Sequence, residues 1–309
     1  MTQANISHQP KLYIDNGLIE YDISGSVHFP SKNQISTLNI IISSPDLQFK
    51  ALLNKDIALY LNSDDSVPIF RGIITSITPS DKETRIVAND SRRLLSGKEG
   101  LKIELSDNKN YDNYTLAQFI QKVISEENVD IGVDFLKDTN PTVNLKGVRE
   151  ISNVYKVITD KIKDAIDFSD VTEPLRHYID MYDDGEKSQI VIKKDLSIKS
   201  KPSYNFNFND GIISYNYKRR NEPNTVVYKG GSFVFSNTPT GKVTTTIKDT
   251  GDIAKNRQVA IKQILLERQQ KDEIMLKVSK CYDIALGTII HLDVDEEDIL
   301  GNYRIVGKN

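Results

Sequence analysis

The chain has 309 residues, 38% of them hydrophobic and 27% charged, with a formal net charge of −3. That length exceeds one ordinary core and predicts two or three domains, while the near-neutral balance gives no general affinity for nucleic acid or an anionic membrane. A single cysteine, Cys281, excludes an internal disulfide framework and a cysteine-built metal cluster. Met1–Ile6 lacks the basic start and apolar core of a signal peptide. No apolar run approaches the roughly 20 residues that span a bilayer. The expectation is a soluble protein made in the cytoplasm, in which Asn5-Ile6-Ser7 and Asn113-Tyr114-Thr115 match the glycosylation pattern by chance.

Lys11–Gly97 reads as short strands separated by turns. Lys11–Ile14 meets Asn16-Gly17, a type I′ hairpin signal. Leu18–Phe29 follows as one strand with Ile19, Tyr21 and Ile23 alternating, then breaks at Pro30. Thr37–Ser43 sets Leu38, Ile40 and Ile42 on one face, and Ile57–Leu61 leads into the polar turn Asn62–Asp65. The central hairpin is Val67–Thr78, a turn at Pro79–Lys82, and Thr84–Asp90. In it Phe70, Gly72, Ile74 and Ser76 fall on one parity and Ile69, Ile73 and Ile77 on the other; Gly72 in mid-strand marks a bulge or tight bend. Strands at this spacing argue for a compact barrel or sandwich.

The middle changes character. Thr115-Leu116-Ala117-Gln118 is a capping box, and Leu116, Phe119, Ile120, Val123 and Ile124 follow helical spacing. A second helix starts after Ser152 with Val154, Ile158, Ile162 and Ala165 as its stripe, the two separated by a loop at Asp138–Pro141. Arg176–Tyr182 and Gln189–Lys193 flank Asp183-Asp184-Gly185 as a hairpin, which makes this a small α+β domain. Strands resume near Ser203: Ile212–Arg219 after the turn Asn209–Gly211, Thr225–Tyr228 ending at Gly230-Gly231, then Ser232–Phe235 and Lys242–Ile247 as a hairpin around Asn237–Gly241. One long helix, Asp252–Gln270, carries Ala254, Ile261 and Leu265 in line with Ala260 and Ile264 beside them. Glu273–Val278 is extended, and Leu286–Leu292 with Asn302–Val306 closes the chain as a hairpin. No repeat and no low-complexity tract is visible.

No residue pattern selects a reaction centre. His8, His28, His177 and His291 lack the spacing of metal ligands and read as structural. Ser24–His28 is a strand with a glycine kink rather than part of a triad, and no Gly-x-Ser-x-Gly elbow is present. Thr240–Thr244 lacks the first glycine and the hydroxyl of a phosphate loop. Asp293–Asp298 and Asp183–Glu186 read as acidic solvated turns rather than calcium loops. Lys218-Arg219-Arg220 near Tyr215 and Tyr217 reads as a solvated strand end. The expected catalytic, cofactor and metal residues are therefore none. Two alternatives stay open, a β-domain hydrolase with a carboxylate pair among the 43 acids, and a carbohydrate or nucleic-acid binding module. The absence of Trp counts modestly against the carbohydrate version.

Phe70-Arg71-Gly72-Ile73-Ile74, the following turn and strand, and Asp90–Leu95 resemble the first tube-forming barrel of Mu-type phage tail baseplate hub proteins. Ile212–Tyr217 leading to Asn224–Tyr228, the helix Ala254–Gln270, Leu286–Ile290 and Gly301–Val306 resemble the later β region of that family, and Thr288 departs from the acidic residue expected after Gly287. The resemblance implies a mainly β, α+β chain: a first tube-like barrel at 1–100, a small α+β domain at 101–202, and a second tube-like barrel at 203–309 with helix 252–270 inserted. It further implies a homotrimer whose paired barrels make a pseudo-sixfold ring. That ring would join the hexameric tail tube or distal tail protein to the trimeric spike, beside the baseplate wedge proteins. DNA would touch it only in transit, past acidic turns facing the lumen. The expected location is the virion, with no cofactor.

Overall fold

The computed structural model describes residues 10–30, 33–43, 49–61, 66–96, 114–126, 128–134, 154–170, 173–207, 212–219, 223–235, 244–268, 272–278, 284–294 and 299–306. His8, Cys281, Asn5, Asn113 and the expected turns at 62–65, 138–141, 209–211 and 237–241 lie outside these residues. The described chain is mainly β with helices in its middle and C-terminal parts, as expected. It forms two compact units: Met1–Ala165 with Arg176–Asp195 and Val306–Asn309, and Ile166–Leu175 with Leu196–Ile305.

In the first unit, β1 (Lys11–Ile14), β2 (Gly17–Ile19), β3 (Ile23–His28), β4 (Thr37–Ile42), β5 (Asp56–Tyr60), β6 (Phe70–Pro79) and β7 (Thr84–Asp90) make one sheet. Its order is β2-β1-β5-β6-β7-β4-β3, with every neighbour antiparallel. The expected single strand from Leu18 to Phe29 is thus two, β2 and β3, which sit at opposite edges of the sheet. Only Glu20–Asp22 joins them, a span of at most about 14 Å. The edges must therefore approach one another, and the sheet curls into a half-barrel. The same conclusion follows from burial. Leu12, Ile14, Leu38, Ile40, Ile42, Ile57, Leu59, Phe70, Ile74, Ile86 and Ala88 form one core drawn from one face of one sheet, and a single face can bury itself only by curling.

Two local corrections refine the reading. Asp15 and Asn16 take positive φ and Ile14 pairs Gly17, so the hairpin loop is Asp15-Asn16, one residue earlier than Asn16-Gly17. In β6 the register against β7 shifts between Ile74 and Ser76. This bulge at Thr75 changes parity, so Phe70 and Ile74 face the core before it and Ile77 packs there after it.

The helical middle belongs to the same unit. The capping box forms as expected: Thr115 N–H donates to Gln118 Oε1 at 2.8 Å, and Gln118 N–H to Thr115 Oγ1 at 3.3 Å. The helix behind it, α1 (Leu116–Glu126), buries the predicted stripe, and α2 (Val154–Lys163) buries Val154, Ile158 and Ile162 and adds Tyr155, while Ala165, expected in its stripe, lies past its end in the same core. They pack on a sheet in which β8 (Gly132–Asp134) runs parallel to β11 (Ser188–Lys194) and β10 (Leu175–Asp183) antiparallel to it. Leu95 lies in this core with Ile35 and Leu94 against it, so the turn after β7 and the loop before β4 tie the first sheet to the helices, while the sheet keeps a core of its own. The chain then passes through β9 (Ile166–Asp167) into the second unit.

There β12 (Tyr204–Phe206) runs parallel to β18 (Ile289–Val294), which pairs antiparallel with β19 (Ile299–Arg304). β13 (Ile212–Arg219) and β17 (Asp272–Val278) form a ribbon over the same core. β14 (Thr225–Tyr228) takes β15 (Gly231–Val234) antiparallel on one side and β16 (Thr244–Thr246) parallel on the other. The expected pairing of Ser232–Phe235 with Lys242–Ile247 is therefore not made. The tight turn after Tyr228 uses β15 to fill one edge of β14, and β16 takes the other. The long helix α3 (Ile253–Arg268) buries Asn256, Ala260, Ile264 and Leu265 against β14, whereas Ala254, expected in the stripe, is exposed.

Candidate functional site

Where β7 ends, Asp90 turns its carboxylate inward and caps the short 3-10 turn Ser91–Leu95 by accepting from Arg92 N–H at 3.0 Å. It also accepts from Ser36 N–H at 2.5 Å and from the Arg92 guanidinium at 2.6 Å, and Arg92 Nη2 reaches Ser36 Oγ at 3.0 Å. Both charged side chains are almost wholly buried. The ion pair holds Arg92 charged, against a burial that favours its neutral form. Tyr155 lies beside Arg92, whose guanidinium favours the ionised phenol, and its buried hydroxyl makes no hydrogen bond of regular geometry among the described residues.

Burial raises the Tyr155 phenol from 10.0 to about 12. The folded state therefore keeps this proton more tightly than the unfolded state, so the stability tied to it is full below pH 10.0 and is lost as pH rises toward about 12. Tyr155→Phe removes an unsatisfied donor, and is expected to be neutral or stabilising by up to about 1 kcal/mol. It should also lose less stability than the wild type between neutral and alkaline pH. Urea unfolding of both proteins at pH 8 and 11 checks this; a clear destabilisation at pH 8 would show that the hydroxyl is bonded.

Arg71, which the alternation of β6 turns away from the core, pairs with Asp183 at the tip of the β10–β11 hairpin. The Asp183 side chain is only 5% exposed, which corrects its reading as part of a solvated turn. Asp184 and Glu186 are exposed, and backbone donors of Lys187 and Glu186 hold the Asp184 carboxyl below its ordinary range. The Asp183 and Asp184 carboxylates are occupied in shaping the turn. Beside them is a cleft of about 410 Å³ lined by Lys11, Tyr13, Tyr60, Arg71 and Glu186, and among its described residues there is no carboxylate pair of the kind a hydrolase needs.

In the second unit Asn256 breaks the apolar stripe of α3 for a local reason. Its Oδ1 accepts from Thr250 N–H at 2.8 Å and Nδ2 donates to Asp249 at 3.0 Å, while Asp252 caps the helix through Ala254 N–H at 2.8 Å. Hydrogen bonds from Asn256, Gly251 and Lys229 hold Asp249 well below its usual range. A second buried carboxylate, Glu173, pairs with Arg304 at 3.2 Å.

Among the described residues, those weighed in the sequence do not converge; Arg220, 240–243 and 295–298 lie outside them. His28 is exposed in β3, His177 Nδ1 lies 2.8 Å from the Ala165 carbonyl, and His291 Nδ1 lies 2.9 Å from Asn302 Oδ1. Tyr215 and Tyr217 pack toward the core and Tyr217 donates to Asp272 at 2.8 Å, so they form no open stacking platform. Among the described residues no group of three or more His, Cys, Asp or Glu could hold a metal ion, and no helix is long and apolar enough to cross a membrane. What the fold does present is surface for assembly. β2 and β3 pair on one side only among the described residues, and a sheet edge is a template for another chain. Leu18, Tyr21, Leu196, Ile198, Leu300 and Met275 are large apolar side chains left exposed.

No protein-family model matches the sequence, and no curated protein matches it. Solved structures do. A tail protein from Neisseria meningitidis MC58 covers 96% of this chain and 90% of its own, with a TM-score of 0.65 at 14% identity. The 43 kDa tail protein of prophage MuSo2 from Shewanella oneidensis covers 97% and 92%, with a TM-score of 0.66 at 12% identity. The fold is that of phage tail proteins. A component of the Escherichia coli type VI secretion system, described as structurally similar to the T4 bacteriophage tail proteins gp27 and gp5, also matches. It covers 96% of this chain and 71% of its own, with a TM-score of 0.57 at 13% identity. The tail-protein fold accounts for a mainly β chain.

Proposed function

We propose that this protein is a structural hub of a phage tail baseplate or a related injection apparatus. Three copies form a pseudo-sixfold ring that joins the tail tube, or a distal tail protein, to a trimeric spike, with wedge proteins around it. DNA crosses the lumen without being bound, and acidic turns at the lumen wall keep it from sticking. The reading assigns no catalytic site and no cofactor, and places the protein in the virion after synthesis in the host cytoplasm. The observation that carries it is the likeness to tail proteins over at least 96% of the chain. Open edges at β2 and β3 support it, since closing a ring covers edges that otherwise invite aggregation. Light scattering on the purified chain, alone and with its neighbouring spike protein, followed by class averages from negative-stain images, tests the proposal. A trimer with a central hole and sixfold outline is the expected result. A protein that stays monomeric in both samples would overturn it, and a lumen of neutral or basic lining would overturn the role given to the acidic turns.

A further inference from the structure

In the second unit the segment Leu196-Ser197-Ile198 crosses the face of β19 that carries Leu300, Asn302 and Arg304, the face turned away from the core. All three carbonyls of the segment, the Ser197 hydroxyl and the Ile198 N–H are held. Arg304 donates to the Leu196 carbonyl through both Nε, at 3.0 Å, and Nη2. Asn302 Nδ2 donates to the Ile198 carbonyl at 2.8 Å. Glu173, itself buried, accepts from Ile198 N–H at 2.6 Å and from the Ser197 hydroxyl at 2.5 Å, and its bond to Arg304 ties the two clamps together. The side chains between these clamps point into solvent: Leu196 is 54% exposed, Ile198 42%, and Leu300 on the adjoining strand 67%. A loop fixed in this way has little entropy left to lose on binding, yet it holds an aliphatic ridge in water. That is the form of a preorganised contact surface.

We infer that this ridge docks on the edge of the first sheet, Leu18–Asp22, of a second copy of the chain. The inference rests on the ring proposed above and names the contact that builds it. The two segments are complementary. Leu196–Lys201 carries Lys199 and Lys201 and no acid, with Asp170 paired to Lys199 at 2.7 Å. Leu18–Asp22 carries Glu20 and Asp22 and no base, and exposes Leu18 at 44% and Tyr21 at 46% beside the one-sided strand β2. The exposed Lys199–Asp170 pair is worth little in water and can be exchanged for contacts to the incoming acids. Neither patch complements itself, since ridge on ridge sets lysine against lysine and edge on edge sets acid against acid. Ridge therefore meets edge, and a head-to-tail contact of this kind generates the ring proposed above when its rotation closes.

The test uses the full chain with Cys281→Ser, carrying either Leu18→Cys or Ile198→Cys. The two variants are purified apart, mixed in equal amounts and treated with a short thiol cross-linker, and the assembled mass is read by light scattering with and without the spike protein. A covalent pair in the mixture, absent from either variant alone, is the expected result. Lys199→Glu with Lys201→Glu should raise the concentration needed for assembly at least tenfold, and adding Glu20→Lys with Asp22→Lys should recover most of that loss. Trimers that form without the covalent pair, and without response to charge reversal, would overturn this contact while leaving the ring intact. A monomer with no cross-link in either sample would overturn both.

Discussion

Arg92→Ala is expected to lower the stability of the first unit by about 3–5 kcal/mol, the range for removing one partner of a buried ion pair. The carboxylate of Asp90 has a side-chain exposure of 7% and loses its guanidinium partner in the variant. The remaining donors, the Ser36 and Arg92 amides, cannot balance a charge taken out of water. Set against a total of about 5–15 kcal/mol for an ordinary domain, a loss of this size is enough to unfold a marginal one. The pair itself is worth less than its disruption. Asp90→Asn combined with Arg92→Met leaves no orphaned charge, so the double variant should be more stable than the sum of its single changes predicts. Urea unfolding gives the size, and hydrogen exchange at the amides of β7 and the turn after it gives the place. A single-variant loss below about 1 kcal/mol would mean that water reaches Asp90 and that the pair behaves as a surface bridge.

This pair also marks the limit of what the sequence makes legible. Elements governed by near neighbours could be read directly. The capping box at Thr115 and Gln118 and the stripes of α1 and α2 depend on spacings of three and four residues, and they formed as read except that α2 stops before Ala165. The alternation of β4 is as clear in the chain as in the structure. The departures arise where a distant partner decides. Glu20–Asp22 continues an alternating pattern, but the curling of the sheet sends β2 and β3 to opposite edges. Asp183 belongs to an acidic turn by composition, and only the fold brings Arg71 to it from 112 residues away. Asn256 interrupts an apolar stripe because its partners, Thr250 and Asp249, lie before the helix. The ridge at Leu196–Ile198 depends on Glu173 and on Arg304, 131 residues apart. A run of single residues carries no sign of such pairings. The one local hint for Asp90 was its place at a strand end just before a turn, where a short acid caps readily.

Gly72→Ala is the second change expected to be severe, and the outcome follows from a contest of two effects. Gly72 has no positive φ, so an alanine would fit the backbone and stabilise by about 0.4–1 kcal/mol through the unfolded chain. Against this, its Cβ would sit 2.2 Å from the carbonyl oxygen of Asn89 and 2.9 Å from a ring carbon of Phe70. The first of these is backbone in the neighbouring strand, and it cannot rotate away. β6 and β7 would have to part beside the bulge and next to Asp90, at a cost of about 3 kcal/mol, so the clash decides the sign. Gly25 supplies the control. Its Cβ would meet the carbonyl oxygen of Asn39 at 2.1 Å, an equal clash, but Gly25 lies in β3 at the edge of the sheet. An edge strand paired on one side can shift outward, whereas β6 is held between β5 and β7. Gly25→Ala should therefore cost clearly less than Gly72→Ala when the two are compared by urea unfolding. Equal costs would mean that the β3 edge is held as firmly as the centre of the sheet, by a partner strand in the assembly or by residues outside those described.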